Sequence, residues 1–117
     1  MARHYIPETG DIVWLHFDTQ AAHEKAGYEQ AGHHPALVLS PATYNAKTGL
    51  MLCCPLATQI KGYPFEVLID GQRLSAALAD QVKSLDWRIR KAVRKGKVSE
   101  QVLSEVRLKI AALVGFV

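Results

Sequence analysis

Sulfur chemistry is almost absent from this chain of 117 residues: its two cysteines, Cys53 and Cys54, are neighbours. Adjacent side chains of a strand point to opposite faces, so a bond between them would demand severe distortion, and both read as reduced core residues. Metal-binding patterns are missing as well. There is no C-x-x-C pair and no helical stretch with one histidine four residues from another, so no metal and no cofactor is expected. No apolar run approaches the roughly 18 residues of a membrane span. The opening MARHYIPETGD lacks the apolar core of a secretion signal. The expectation is a cytoplasmic protein without membrane contact. Internal repeats and low-complexity tracts are lacking too, and the length allows one domain, residues 1–117, with no room for a second.

What is present is a series of short apolar runs separated by turn residues, the pattern of a sheet-rich domain. Strands are predicted over Asp11–Phe17, Ala36–Leu39, Leu50–Leu56 and Phe65–Ile69, with shorter ones over Val82–Leu85 and Ala92–Val98. Between the second and third, YNAKTG supplies turn chemistry, Asn45 and Gly49 both being able to take positive φ. The last segment changes period. After Ser99, a good N-cap, apolar residues fall at Val102, Val106, Ile110, Leu113 and Val117, and Gly115 supplies a stop. The reading is mainly β, a small, strongly bent sheet or partly open barrel with a C-terminal helix laid on one face.

The segment from Asp18 to Gly32 has few large apolar residues and is expected to be a mobile surface loop, the kind that carries function on a small scaffold. His33 and His34 stand at its end, two of five histidines side by side. The net charge of +3 is localised, because Arg88, Arg90, Lys91, Arg94, Lys95 and Lys97 place six of the 14 basic residues within ten positions. A solvated hairpin accounts for such a cluster, and so does a surface for an anionic polymer.

The blocks PETGDIVWLHFD, EQAGHHPALVLSPATYNAKTGL, CPLATQIKGYPFEV and LADQVKSLDWRIRK, in that order, give the chain a likeness running from about Tyr5 to Val114. It resembles the MazF/PemK/Kid family of toxin endoribonucleases from toxin–antitoxin pairs. The resemblance implies an SH3-like small barrel of the PemK/CcdB kind, paired as a homodimer. It implies cleavage of single-stranded RNA at short sequences without a metal. It also implies a cognate antitoxin whose acidic, disordered tail blocks the RNA groove. Two positions depart from the family's pattern. His34 stands where the family usually has its catalytic arginine, and Ala57 stands where it usually has a threonine, with Thr58 one residue further on.

Metal-free RNA cleavage needs a base for the 2′-OH, an acid for the departing 5′-oxygen and donors for the charge building on phosphorus. Arginine is a clamp and a poor base, whereas histidine carries protons readily. His34 is therefore expected to act as general base or acid. Glu29 would orient it or serve as the opposite proton carrier, and Lys61 or loop cations would supply the phosphate contact. Thr58 is a further catalytic candidate; satisfying a strand-end N–H is its bland alternative. Gln59 is assigned to a base edge, Phe17 and Tyr63 to stacking on splayed bases, and His33, Arg88 and Arg90 to RNA contact. LADQVKSLDW is expected to serve the sheet and dimer interface, away from the cutting site. His16 alternates with apolar residues and reads as structural or interfacial. Two other functions compete: a catalytically silent RNA- or antitoxin-binding module, and a gyrase-poisoning toxin of the CcdB type.

Overall fold

A computed structural model describes residues 4–16, 33–69 and 75–116. Among them lie seven strands and two helices: β1 Asp11–His16, β2 His33–Val38, α1 Ala42–Thr48, β3 Leu50–Ala57, β4 Glu66–Ile69, β5 Ser75–Leu78, β6 Lys83–Asp86, β7 Val93–Lys97 and α2 Glu100–Leu113. The strands form one antiparallel sheet in the order β4-β5-β3-β2-β1-β7, and β6 pairs separately with β3. The expected loop from Asp18 to Gly32, with Glu29 in it, and Phe17 beside it lie outside the described residues.

Strand β3 organises the sheet. One edge pairs with β2, setting Val38, Leu37 and Ala36 opposite Cys53, Cys54 and Pro55. The other edge pairs with β6 from Leu50 to Cys53 and then with β5 at Leu56 and Ala57. Two partners in succession along one edge divide the strand between two parts of the sheet. Alternation along the strand then sorts its side chains between two cores. Cys54 and Leu56 join Leu37, Val67 and Ala77 under Val102, Leu103 and Val106 of α2. Met51 and Cys53 join Val13, Leu15, Ala36, Val38 and Trp87. The two cysteines, free and buried, thus belong to different cores.

Helix α2 starts where its sequence signals put it. Ser99 is the N-cap, its hydroxyl accepting from the N–H of Val102 at 3.2 Å. Gly115, at φ +77, lies two residues past its last residue. The apolar stripe leaves the sheet before the helix ends: Val106 is fully buried, whereas Leu113 is 48% exposed.

Two elements differ from expectation. The YNAKTG segment is not a turn but most of α1, and Asn45 is helical; Lys91 is the one non-glycine residue with positive φ among those described. Asn45 is fully buried because tertiary partners exist for each of its groups. Its Nδ2 donates to the carbonyls of Pro7 (2.8 Å) and Ser40 (3.1 Å), and its Oδ1 accepts from Ser40 Oγ at 2.6 Å. Its own carbonyl accepts from Trp87 Nε1 at 2.8 Å. Gly49 does take the left-handed conformation, at φ +78, closing α1 with a bond to the carbonyl of Asn45. The second difference is β5, a strand over SAAL that alanine-rich sequence does not announce; Ala76 and Ala77 are wholly buried in it.

The start of β1 is anchored by a buried carboxylate. Asp11 accepts from the Tyr5 hydroxyl and from the N–H of Glu8, and it pairs with Arg94 (3.3 Å) and more loosely with Lys97 (3.8 Å) of β7. Burial and the Asp11 carboxylate push the Tyr5 phenol well above its ordinary pKa, so it remains a donor.

Candidate active site around His34

Strand β2 begins at His33, so its first two side chains leave on opposite faces. His34 lies opposite Leu15 of β1 and follows Leu15 and Ala36 to the Met51/Cys53 side. There it lines a cavity of about 200 Å³ with Pro35, Cys53, Pro55, Gln81, Lys83 and Leu85. Gln81, Lys83 and Leu85 alternate, so the entry to β6 and the strand itself present one face to the imidazole.

The electrostatics favour a neutral imidazole. Burial lowers the His34 pKa from its ordinary value, and the Lys83 ammonium lowers it further. A neutral ring accepts a proton, which is what a general base must do. The cavity floor offers no competing nucleophile: burial pushes the Cys53 thiol up to about 11 even with Lys83 and Arg90 pulling it down. Cys54, on the other face, is pushed up to about 12, again chiefly by burial.

The β2–β3 register adds a second relation. It sets Ala36 opposite Pro55, and continuing it by two residues brings His34 level with Ala57. The pairing itself ends at Ala36 and Pro55, and Ala57 pairs on its other edge with Ala76 of β5. Where a threonine would present a hydroxyl, a methyl stands. Thr58 follows the end of β3 and is exposed.

The loop after β3 is a separate unit. The Glu66 carboxylate gathers the N–H groups of Lys61 (3.1 Å) and Gly62 (2.8 Å), holding Gly62 at φ +80. Lys61 Nζ lies 5.8 Å from the centre of the Tyr63 ring, and Lys109 Nζ donates to the carbonyl of Pro64 at 2.6 Å. Gln59, Lys61 and Tyr63 are exposed here, and none of them lines the His34 cavity. The cation that does line it is Lys83. The LADQVKSLDW block enters the sheet as β6, as expected, and its Gln81 and Lys83 also line the His34 cavity.

On the opposite face of β2, His33 meets His16 of β1, its cross-strand partner. Their Nε2 atoms are 3.1 Å apart, and the Trp14 ring stands edge-on to His33 at 5.9 Å. Trp14, His33, Val93 and Lys95 line a shallow cleft of about 280 Å³. Of the basic cluster, Arg88 stacks on Trp87 at 4.9 Å and donates to the carbonyl of Ala46. Arg90 donates to the carbonyl of His16 at 3.4 Å. Four of the six cations, with Arg94 and Lys97, therefore have partners within the fold.

Comparison with known proteins identifies the family and the fold. A family sequence model described as PemK-like, MazF-like toxin of type II toxin–antitoxin system matches residues 8–114. The endoribonuclease toxin MazF of Escherichia coli (strain K12) is 52% identical over 116 residues, covering 98% of this chain and all of the relative. The endoribonuclease toxin ChpB of the same strain is 33% identical over 113 residues, covering 92% of this chain and 93% of that one. Among solved structures, a MazE-MazF crystal structure from Deinococcus radiodurans superposes with a TM-score of 0.84 at 42% identity, covering 97% of this chain and all of the other.

Proposed function

The chain belongs to the PemK-like, MazF-like toxin family of type II toxin–antitoxin systems, and we propose that it cuts single-stranded RNA using His34 as its proton carrier and Lys83 as its phosphate clamp. The chain is an endoribonuclease toxin, as its relatives' names state of them. Its partners are RNA, a second copy of itself and a cognate antitoxin of the MazE kind, whose acidic tail would compete for the same surface. It works in the cytoplasm, where messenger RNA is found, and no helix among the described residues is long and apolar enough to cross a membrane. Residues 1–117 act as one toxin domain.

The cavity that joins an imidazole to an ammonium group carries this reading. Neutral His34 takes the proton of the ribose 2′-OH as that oxygen attacks the adjacent phosphorus. The bond from phosphorus to the 5′-oxygen then breaks, leaving a 2′,3′-cyclic phosphate and, once protonated, a 5′-hydroxyl. Lys83 meets the non-bridging oxygens, on which negative charge grows, so its contact strengthens in the transition state. This gives the lysine the clamping half of the arginine's task and the histidine the proton-handling half. Glu29 is assigned to protonating the leaving oxygen or orienting the ring, and Thr58 to a phosphate oxygen. Lys61, Gln59 and Tyr63 form an outer ledge for the flanking nucleotides, with Phe17 and His33 as further base contacts and Arg88 and Arg90 at the basic rim.

The test is direct. Incubated with a long single-stranded RNA in excess chelator, the parent yields defined cuts with cyclic-phosphate and 5′-hydroxyl ends. Replacing His34 by alanine lowers the rate by about a hundredfold or more. Cleavage at the parental rate by that variant would overturn the assignment. A silent RNA- or antitoxin-binding module is the second reading, favoured by the methyl of Ala57 where the family usually has a threonine; it predicts tight RNA binding by the parent with no cuts.

A further inference from the structure

We propose that His16 and His33 form a two-imidazole chelate for a late divalent transition cation, on the face of β2 opposite His34. Position is the first argument. The two residues are paired across adjacent antiparallel strands, so the backbone holds both side chains on one face at one level. The edge of Trp14 packs against the His33 ring and limits its rotation, so little freedom is lost when a ligand binds.

Distance is the second. Two imidazole nitrogens about 2.0–2.1 Å from one cation, subtending a tetrahedral to square angle, stand roughly 2.9–3.4 Å apart. The Nε2 atoms of His16 and His33 are 3.1 Å apart, with ring centres at 4.3 Å and planes inclined by 70°. Two imidazoles at this distance share one proton on the line between them. A cation replaces that proton if each ring carries its hydrogen on Nδ1, a change of tautomer that breaks no other ring hydrogen bond of either residue among the described residues.

Chemistry is the third. Imidazole ligands select copper, nickel and zinc ions over magnesium and calcium, and the order of affinities puts copper first. No group of three or more His, Cys, Asp or Glu able to hold a metal ion occurs among the described residues, so among them the site has two protein ligands. Arg90, hydrogen-bonded to the carbonyl of His16, and Lys95 in the adjoining cleft oppose a further positive charge. Binding therefore falls at the weak end, in the micromolar range of metal. Sequence spacing cannot reveal such a site, because its two ligands belong to different strands and neither lies in a metal motif. The pair lies on the face of β2 opposite His34, so the proton transfers assigned to His34 need no ion there, although an ion would occupy the ring assigned to base contact.

The experiment uses the full chain freed of any affinity tag, titrated with Ni²⁺ and with Cu²⁺ by calorimetry. One ion per protomer is expected. His16→Asn and His33→Asn should each weaken binding at least about tenfold, since losing a ligand costs no less than losing its outer partner. His4→Asn should leave it unchanged. Paramagnetic resonance of the Cu²⁺-loaded parent should show two equivalent imidazole nitrogens, a readout that needs no variant to fold. Equal affinities in the parent and both strand variants, or a copper spectrum without paired nitrogens, would overturn the proposal.

Discussion

His34 joins two properties, a lowered pKa and a place beside Lys83, and each sets an expectation. The folded chain resists protonating this ring, while the unfolded chain protonates it at the ordinary value of 6.5. Its contribution to stability is thus present above that value and lost as pH falls through the lower folded pKa. Urea midpoints at pH 7 and pH 5 should show a drop that His34→Gln reduces. The acid limb of kcat/KM should also lie below 6.5, because the free base is the active form. Ala57 sets another expectation. Ala57→Thr places a hydroxyl two residues beyond Pro55, the last β3 residue paired with β2, in a strand that favours β-branched residues, so cleavage should rise several-fold with the fold intact. An unchanged rate would mean that this position has no part in the reaction.

Among the elements, α1 rests on Asn45 more than on its own length, since so short a helix is marginal alone. Asn45→Ala strips partners from the carbonyl of Pro7 and from Ser40 Oγ inside the core. The expected cost is about 2–3 kcal/mol in chemical denaturation, the range for stranding buried polar groups. Ser99→Ala, which removes only a cap, should cost about 1 kcal/mol. The difference between these elements explains what the sequence discloses. The strands β1, β3 and β4 and the helix α2 are legible because periodicity, a cap and a stop lie within each segment. Helix α1 is illegible because what makes Asn45 helical lies 38 residues earlier, at Pro7. Strand β5 is illegible because its alanines have little β propensity and it is held by its pairing with β3 and β4. The site divides the same way: the position of His34 follows from its motif, whereas Lys83 reaches it only through the pairing of β6 with β3.

Across the whole molecule, charge and shape act together. Six clustered cations suggest a steep electrostatic hold on RNA, and a strand meeting all six would show a salt slope near −4 in log–log form, about 0.7 per phosphate. Four of them already serve the fold through Trp87, His16 and Asp11. A shallower slope is therefore expected, and Lys95→Ala should reduce it further while Lys97→Ala loosens the β1–β7 anchor instead. Filter binding across a salt series separates the two effects.

Strand β3 gives the molecule a single point of failure. Its residues serve both cores, three neighbouring strands and the floor beneath His34. Loosening it dissolves all of these at once, so no partly melted form keeps the His34 cavity. Amides of β3 should exchange with solvent only when the entire chain opens. For a poison held in check by a removable inhibitor, this makes potency all-or-none: each molecule is either fully armed or fit only for degradation.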